Sequence, residues 1–366
     1  MDLSSANKEL TNLSTYTNKT ISEPTEPICI IHLDPQCHFG EHRHIPKYCF
    51  VTLLLLSAIT AIVGNIVVII VVVKIRRMQS FMNWMIFNLA VADLMASIFC
   101  LSVDVTMEIN EKWVFRSGVC PILFPLRGAM IFASVFTLVS LSISRYWAIM
   151  YPFKDQATVQ CAKICICVIW LGSLAATAPY MASLRYNEDR KVCMEVWSYI
   201  QRQLYTVLMF FFMFLFPFAI MIWCYTKIVD QIVNSRSKRK SAALCSALVA
   251  DKMLMQENKN LVKLSVIITV TFCICVLPCH IMWLLYDFTD IEKTFIYFPD
   301  AMVVSQVLLY LNSALNPINY NIFSTNFRLA FLNIWKKAKE LIVKDKLILK
   351  QGRTLEQQPA IFHKSR

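Results

Sequence analysis

Apolar residues fall into seven long runs separated by polar segments, and this pattern predicts seven helices. The runs cover residues 48–75, 81–107, 117–150, 162–182, 198–230, 260–287 and 297–322. Each is near or above the ~20 residues that an α-helix needs to cross the hydrocarbon core of a bilayer. Short segments of alternating polarity, the pattern of a membrane β-barrel, are not seen. We therefore predict an all-α membrane protein, a seven-transmembrane helix bundle.

The third run carries two arginines within its apolar stretch, Arg127 and Arg145. On insertion scales a charged side chain at the centre of a membrane helix costs about 3 kcal/mol, so such residues persist where they have partners or face water. The third helix is therefore expected to organise the bundle, with a polar interior around it.

Composition and charge agree with a membrane protein and set its orientation. Hydrophobic residues make up 57% of the 366 residues, too many for an ordinary soluble domain. The formal charge of +12 arises mainly from Lys and Arg in the segments after runs one, three, five and seven. Because such an excess marks the cytoplasmic side, we place the N-terminus outside and the C-terminus inside. Basic loops beside an anionic leaflet account for the charge, so no nucleic-acid partner is expected.

The runs divide the chain into four predicted segments of a plasma-membrane protein. These are an extracellular tail at 1–47, a seven-transmembrane domain at 48–324, an amphipathic membrane-surface helix 8 at 325–340 and a cytoplasmic tail at 341–366. The first tail is polar and shows no signal-peptide core, so the first run is expected to act as its own insertion signal. In the surface helix, Phe327, Phe331 and Trp335 share one face beside lysines, which suits contact with a leaflet.

Two covalent features are expected on the outer side. Asn12 and Asn18 begin sequons for N-glycosylation. Cys120 and Cys193 lie at the outer end of the third run and between the fourth and fifth runs, where oxidation is allowed. A disulfide between them would hold the second outer loop over the bundle. The cysteines inside the runs are expected to be packing residues, and no metal site is predicted.

Polar side chains at similar depth in four of the predicted helices indicate a buried cluster. Asn65 of the first run is expected to find its polar partner in Asp93 of the second. The third and seventh runs add Ser134, Asn312 and Asn316. Polar groups within a bundle either satisfy one another or line a water-filled space. Both interpretations stay open, and the second predicts a pocket for an allosteric sodium ion around Asp93. No other cofactor is expected.

Together these features resemble the rhodopsin-like (class A) G-protein-coupled receptors over residues 48–340. The matching residues are Gly64-Asn65, Leu89 to Leu94, Trp113, Cys120 with Cys193, Arg145-Tyr146, Trp170, Phe216-Pro217, Tyr225, Phe272, Cys275, Pro278 and Asn316 to Tyr320. The resemblance implies a receptor and not an enzyme, with a heterotrimeric G protein and arrestin as partners. It also implies an activation switch made of Ser144, Arg145, Tyr146, Pro217, Tyr225, Phe272, Val276, Pro278, Pro317 and Tyr320. The prolines remove backbone hydrogen bonds and are expected to kink their helices, so that one end can swing.

Three departures from the family pattern fall in this switch. Ser144 stands where an acid usually precedes the arginine, Val276 where many members have tryptophan, and Asn258 where the sixth helix usually offers an acid. Arg145 therefore lacks both expected carboxylates. Its resting state is held either by neutral hydrogen bonds from Ser144 and Asn258 or less tightly than in the family.

The predicted ligand pocket lies between helices two, three, five, six and seven at the outer end. Its candidate ligand residues are Asp104, Arg127, His280, Trp283, Asp287, Gln306 and Tyr310. Arg127 stands where amine receptors carry an aspartate, and the seventh run has no lysine for retinal, so neither ligand is expected. Asp104 and Glu108 either neutralise Arg127 or leave it to read an acidic or carbonyl group of the ligand.

Acids cluster at the outer end of the sixth run and in the loop that follows it: Asp287, Asp290, Glu292 and Asp300 outnumber Lys293. Such a rim favours cationic ligands, although it is also typical of solvated surface. Residues 133–139, 152–153 and 193–197 resemble the neuropeptide FF (RFamide) receptors, and Phe124-Pro125 resembles tachykinin receptors. Asp287 matches an aspartate that faces the ligand's arginine in RFamide receptors.

The leading hypothesis is a receptor for an extracellular neuropeptide, amidated and with a basic residue. The alternatives are a receptor for a non-peptide or lipid ligand and a weakly signalling scavenger, which Ser144 and Val276 suggest. A transporter would show inverted repeats, and none are found.

Overall fold

The computed structural model describes residues 44–75, 79–110, 113–152, 154–189, 191–241, 248–336 and 339–340; for 234–241, 248–259 and 292–293 it describes the backbone alone. The sequons at Asn12 and Asn18 and the cytoplasmic tail 341–366 lie outside these ranges. So do the side chains of Asn258, Glu292 and Lys293.

Seven helices are long and apolar enough to cross a membrane, which confirms the predicted bundle. Their bounds are α1 Lys47–Lys74, α2 Phe81–Asn110, α3 Ser117–Met150, α4 Val159–Ser183, α5 Tyr199–Phe210 continuing through Phe216–Ser241, α6 Leu248–Phe288 and α7 Phe298–Phe323. Short π-helical segments interrupt α2 at Ala96–Leu101 and α5 at Phe211–Leu215. A single helical turn, Ile291–Thr294, precedes α7. Residues 325–336 form a further helix, α8.

Three of the helices begin at side-chain caps that the sequence supplies. Ser80 accepts a hydrogen bond from the backbone N–H of Asn83, and Thr158 accepts one from that of Cys161. Ser198 and Gln201 form a reciprocal capping box at the start of α5. Each cap satisfies backbone donors that the first turn of a helix leaves free, so these polar residues define where the helices start.

A β-hairpin between α4 and α5 was not predicted from the sequence. Strand β1 (Leu184–Asn187) pairs antiparallel with β2 (Val192–Glu195), with Tyr186 opposite Cys193. The predicted disulfide is confirmed, because Cys193 is bonded to Cys120 at the start of α3. The end of the bundle that carries this disulfide is called the outer end below, and the end that carries Arg145 the inner end.

Helix α3 is central, as predicted, and packs against α2, α4, α5 and α6. The largest apolar cluster lies in the inner half and joins α1 through α8; its members include Val68, Met85, Leu138, Phe272 and Tyr320. Helix α8 contributes Phe327, which is buried against Tyr320, whereas Trp335 is exposed. The three aromatic residues of α8 therefore do not share one environment, and its contact with a leaflet stays a prediction.

Gly64 allows α1 to pack closely against α7. A Cβ atom on Gly64 would lie 2.7 Å from Cβ and 2.8 Å from Cγ of Pro317. Real Cβ atoms do not approach backbone-linked ring atoms this closely, so a larger residue would push the two helices apart. The close approach places Asn65 beside the polar face of α7.

Candidate functional site

A cavity of about 230 Å³ lies at the outer end, between α2, α3, α5, α6, α7 and the hairpin. Six of the seven candidate ligand residues line it: Asp104, Arg127, His280, Trp283, Asp287 and Gln306. Tyr310 instead borders a smaller cavity that lies deeper in the bundle. Several charged or aromatic residues that were not predicted as ligand residues also line the larger cavity, among them Glu195, Arg202 and Tyr205.

Arg127 is neutralised by Asp104, one of the two arrangements that the sequence left open. Its Nη2 donates to Oδ1 of Asp104. The other carboxylate oxygen accepts from Nε2 of Gln306 at 2.7 Å and from the hydroxyl of Tyr310 at 2.5 Å. The guanidinium also lies 5.7 Å from the ring centre of Phe124, within cation–π range. Four of these residues therefore form a charge-balanced network at the base of the cavity.

Asp287 is also paired, and its partner is Arg202 of α5. Asp287 is only 1% exposed, and its Oδ1 lies 3.0 Å from Nε of Arg202. Thr206 donates to Oδ2, and the Asp287 carbonyl accepts from Gln203 Nε2 at 2.8 Å. Asp287 was expected on an acidic rim, but it is buried and fastens the outer end of α6 to α5. The sequence feature that could have identified Arg202 as a buried, paired residue is the same as for Arg127: an arginine within an apolar run.

Glu195 is a partly buried carboxylate with aromatic rings around it. Its oxygens accept from the Tyr180 hydroxyl at 3.0 Å and from Trp197 Nε1 at 2.7 Å. The ring of Tyr205 completes the enclosure, with its centre 4.9 Å from that of Trp197 and 5.7 Å from that of Tyr180. Burial raises the pKa of Glu195, while the two hydrogen bonds and the positive charge of Arg202 oppose the rise. Among the described residues, Glu195 forms no ion pair.

His280 and Trp283 line the same cavity from α6. The His280 ring lies between aromatic side chains of α5, with its centre 6.0 Å from that of Phe210 and 6.4 Å from that of Phe214. Trp283 packs edge-on against Tyr286. Both side chains thus offer the cavity an aromatic surface.

The predicted polar cluster is present below this cavity. Asp93 accepts from Ser313 Oγ at 2.9 Å and from Asn316 Nδ2 at 2.8 Å. A space of about 30 Å³ beside it is bordered by Asp93, Ser134, Asn312 and Ser313. About 10–15 Å³ suffices for one water molecule, so the space has room for a water or a small cation. These four residues offer carboxylate, hydroxyl and amide oxygens, the donor set that hard cations prefer, while the rest of the lining is mostly apolar with one arginine.

One predicted contact of this cluster is wrong. Asn65 does not bind Asp93; its Nδ2 donates to the carbonyl of Ala61 at 2.9 Å and to that of Ser313 at 3.0 Å. The physical reason is the close packing of α1 on α7 at Gly64, which brings backbone carbonyl oxygens of α7 within reach. Asn65 acts on Asp93 only indirectly. It donates to the backbone carbonyl of Ser313, and the hydroxyl of Ser313 donates to Asp93.

At the inner end, Arg145 has no carboxylate partner among the described side chains. The Nε atom of Arg145 is buried and has no hydrogen-bond partner among the described residues. No hydrogen bond joins Arg145 to Ser144 in that part of the chain. Tyr225 is held elsewhere, since its hydroxyl accepts from Ser142 Oγ at 2.7 Å and lies 3.2 Å from Thr269 Oγ1. The Tyr146 ring packs against Trp223. Of the two arrangements that the sequence left open, the hydrogen bond from Ser144 to Arg145 is not formed in this structure, and the looser restraint stays a prediction.

The remaining switch residues lie in the interior of the bundle. Phe272 and Val276 are buried in α6, and Tyr320 is buried in α7. Tyr320 stacks on Phe327 of α8 at 5.4 Å. Pro278 and Pro317 lie inside α6 and α7, and Pro217 follows the π-helical segment of α5.

Comparison with known proteins agrees with this architecture. The chain is 28% identical to neuropeptide FF receptor 2 of Mus musculus over 349 residues, which cover 87% of this chain and 82% of that receptor. It is 30% identical to galanin receptor 2b of Danio rerio over 287 residues, 75% of this chain and 71% of that one. It is 26% identical to the pyroglutamylated RF-amide peptide receptor of Mus musculus over 288 residues, 75% and 66% of the two chains.

The family model of the 7 transmembrane receptor (rhodopsin family) matches residues 64–320, from Gly64 of α1 to Tyr320 of α7. This range contains the Asp93 cluster, Arg145 and every residue that lines the two cavities except Phe50. The chain therefore belongs to the rhodopsin family of seven-transmembrane receptors, as a multi-pass receptor of the plasma membrane and not an enzyme.

Proposed function

We propose that this protein is a receptor for an extracellular peptide that carries a cationic group, and that it activates a heterotrimeric G protein. The carrying observation is Glu195, a partly buried carboxylate in the outer cavity that has aromatic neighbours and forms no ion pair among the described residues. The relatives named above are receptors for peptides, which supports the ligand class. The N-terminus is placed outside, so that the cavity faces the extracellular medium.

The charges of the cavity favour a cation at Glu195 over Asp104 and Asp287. Arg127 neutralises Asp104, and Arg202 neutralises Asp287. Both arginines thus already form ion pairs with other carboxylates. Arg202 also acts on Glu195 through its charge, but Glu195 forms no ion pair among the described residues. A guanidinium or ammonium there would gain Coulomb attraction and contacts with the faces of Tyr180 and Trp197, two terms that strengthen away from water.

Asp287 was expected to meet the basic group of the ligand. It is a less favourable partner for that group than Glu195. A ligand cation could pair with it only by displacing Arg202 from a buried ion pair. Removing one partner of such a pair leaves an uncompensated charge, which costs about 3–5 kcal/mol. A ligand that binds Asp287 must therefore also offer Arg202 a new hydrogen-bond acceptor, for example a carbonyl oxygen.

Activation follows if the ligand binds one arrangement of the helices better than the other. Asp287 and Arg202 join α6 to α5 at the outer end, so a ligand between these helices acts directly on their spacing. Pro278 lies in α6 below this contact, where a helix without a complete hydrogen-bond ladder bends most easily. We propose that the inner half of α6 then moves outward, and that Arg145, Tyr225 and Tyr320 rearrange to admit the G protein.

The test compares Glu195→Gln with Glu188→Gln, which makes the same change on the exposed turn of the hairpin. Purified variants in nanodiscs are assayed for nucleotide exchange on a G protein with synthetic amidated peptides that carry arginine. Glu195→Gln is expected to raise the half-maximal concentration about 30-fold, because losing one partner of a buried charge pair costs about 2 kcal/mol or more. Glu188→Gln is expected to change it less than threefold.

The same assay has a pH arm. Binding a cation requires ionised Glu195, and burial raises the pKa of this group above that of ordinary glutamate. Potency should therefore fall on acidification at a higher pH than an exposed glutamate would produce, and it should be flat in Glu195→Gln. Equal potency of wild type and Glu195→Gln for every active peptide would refute the assignment. Strong binding without nucleotide exchange would favour a scavenger.

A further inference from the structure

One carboxylate fastens the chain just before α1 to the start of α7. Oδ1 of Asp300 accepts from the backbone N–H groups of His44 and Ile45, each at 3.0 Å. The other oxygen, Oδ2, lies 3.0 Å from Nδ1 of the His44 ring. The His44 ring also packs against that of Tyr297, with 4.9 Å between the ring centres. Asp300 is buried, so these contacts determine where His44 lies at the outer end.

The pairing with Asp300 gives His44 the proton arrangement of a metal ligand. An ionised carboxylate only accepts hydrogen bonds, so in the neutral imidazole Nδ1 carries the proton and Nε2 keeps its lone pair. Nε2 has no hydrogen-bond partner among the described residues, and 53% of the His44 side chain is exposed. A histidine that binds a metal usually donates its other ring N–H to a carboxylate in this way, which fixes the ring and raises its basicity. Nε2 is therefore the atom of His44 that is available to a metal ion.

The sequence before His44 is rich in side chains that bind transition metals. Four of the six histidines of the chain lie close together, with a cysteine and a glutamate among them: His32, His38, His42 and His44, with Cys37 and Glu41. Zinc sites use three or four protein ligands, and the described residues hold no group of three, so a site at His44 needs ligands from this preceding segment. Two residues of chain span at most about 7 Å, so the side chain of His42 can reach an ion held by His44.

We propose that His44 and His42 bind a divalent transition-metal ion such as Zn²⁺ at the outer end of α1, and that Asp300 positions His44 for it. Imidazole suits zinc, copper and nickel, whereas Mg²⁺ and Ca²⁺ prefer oxygen ligands. No metal site was predicted from the sequence alone; the contact between His44 and Asp300 is what points to one.

The metal site is separate from the outer cavity, because neither His44 nor Asp300 lines that cavity. It lies beside the cavity, since Phe50 of α1 and Met302 of α7 both belong to the cavity lining. The inference therefore goes beyond the proposed function and shares with it only the placement of the N-terminus outside.

Zinc binding to the full chain in nanodiscs, measured by isothermal titration calorimetry, tests the two ligands. Wild type is expected to bind Zn²⁺ in the presence of excess Mg²⁺. His44→Ala and His42→Ala should each weaken binding about tenfold or more, because each removes a ligand. His363→Ala makes the same change in the C-terminal tail, and this matched control should leave the Kd for zinc unchanged.

Asp300→Asn tests the positioning role. Asparagine keeps the shape and still offers an oxygen to the two backbone N–H groups, but it lacks the charge that raises the basicity of the His44 ring. Zinc affinity should fall about 10- to 100-fold, as is typical when the carboxylate behind a histidine ligand is lost. The thermal midpoint in EDTA should match that of Asp290→Asn, the same change in the neighbouring loop. A lowered midpoint with unchanged zinc affinity would show that Asp300 only joins the two segments.

The outcomes separate the metal site from the proposed function. Absence of zinc binding to wild type, or equal binding to wild type and to both histidine variants, refutes the metal site. Glu195→Gln should leave zinc affinity unchanged. A peptide that depends on Glu195 on a receptor that binds no zinc supports the proposed function and refutes the metal site alone. Zinc binding that is lost in His44→Ala, with no effect of Glu195→Gln on any active peptide, supports the metal site alone.

Discussion

At the scale of single residues, the charged groups of the bundle differ in whether they have partners. Arg127 and Arg202 are each paired with a carboxylate, whereas Arg145 has none among the described side chains. A buried charge without a partner is restrained only by packing, and its desolvation is not offset by an ion pair. Arg145 is thus the arginine whose side chain can change position at the lowest cost.

Ser144→Asp is therefore expected to lower signalling in the absence of ligand. An adjacent carboxylate would give Arg145 a charge-assisted hydrogen bond, about twice as strong as a neutral one. A gain of ~1 kcal/mol for the resting state corresponds to a roughly fivefold drop in ligand-free nucleotide exchange. Purified protein in nanodiscs gives this rate directly.

The matched control is Ser144→Asn, which has the shape of aspartate without its charge. It should leave ligand-free exchange within about twofold of wild type. Two outcomes would contradict this prediction: no ligand-free exchange above background in wild type, or the same exchange rate in Ser144→Asp as in wild type. Either would show that the side chain at this position has no part in restraining Arg145.

At the scale of elements, polar contacts decide how the helices are joined at the outer end. The Arg202–Asp287 pair and the hydrogen bonds to the Asp287 carbonyl connect α5 to α6. The Asp104 network connects α2, α3 and α7, and the disulfide connects α3 to the hairpin. The outer cavity lies between the Arg202–Asp287 contacts and the Asp104 network. A ligand in the cavity therefore contacts α5 and α6 on one side and α2, α3 and α7 on the other.

A double-mutant cycle on Arg202 and Asp287 should separate structure from binding. Asp287→Leu alone leaves a buried arginine unpaired and should destabilise the fold by about 3–5 kcal/mol. Arg202→Met combined with Asp287→Leu removes both charges and should restore most of that stability. Thermal midpoints in nanodiscs measure both effects.

Peptide potency on the double variant then decides the role of Asp287. Potency within threefold of wild type would show that Asp287 acts by joining α5 and α6. Potency that stays lost although stability returns would show a direct contact between Asp287 and the ligand, as the sequence suggested.

At the scale of the whole molecule, two cavities lie in sequence along the bundle axis. The outer one carries the ligand-site candidates and the deeper one borders Asp93, with Arg127 and Val276 in the lining of both. Occupancy of one cavity can therefore alter the other through a shared wall. This arrangement provides a physical route for coupling between a ligand and an ion, because each can favour one packing of the wall.

Asp93→Asn should abolish any dependence of basal nucleotide exchange on sodium. The substitution keeps the shape of the side chain and both α7 neighbours but removes the charge that would hold a cation. Exchange is measured as sodium is replaced by N-methylglucamine at constant ionic strength. A wild type that responds equally to both salts would show that the cluster only satisfies its own polar groups.

Much of this architecture follows from the sequence alone. Seven apolar runs of sufficient length dictate seven helices, because a backbone in lipid must satisfy its hydrogen bonds within the segment. The pairing of Cys120 with Cys193 follows from their position at the outer side. The depth of Asp93, Asn312 and Asn316 follows from counting residues along helices of regular rise.

Only the tertiary structure decided which polar groups meet. Asp104 and Gln306 are separated by 202 positions in the sequence, and their contact depends on how α2 and α7 are rotated about their axes. Likewise, the rotation of α5 and α6 gives Asp287 an arginine partner, and the position of the hairpin leaves Glu195 with aromatic rings. The local sequence pattern determines that a segment is helical and how deep in the bundle each of its residues lies. Side-chain pairing depends in addition on helix rotation and rotamer choice, which are determined by packing among all seven helices at once.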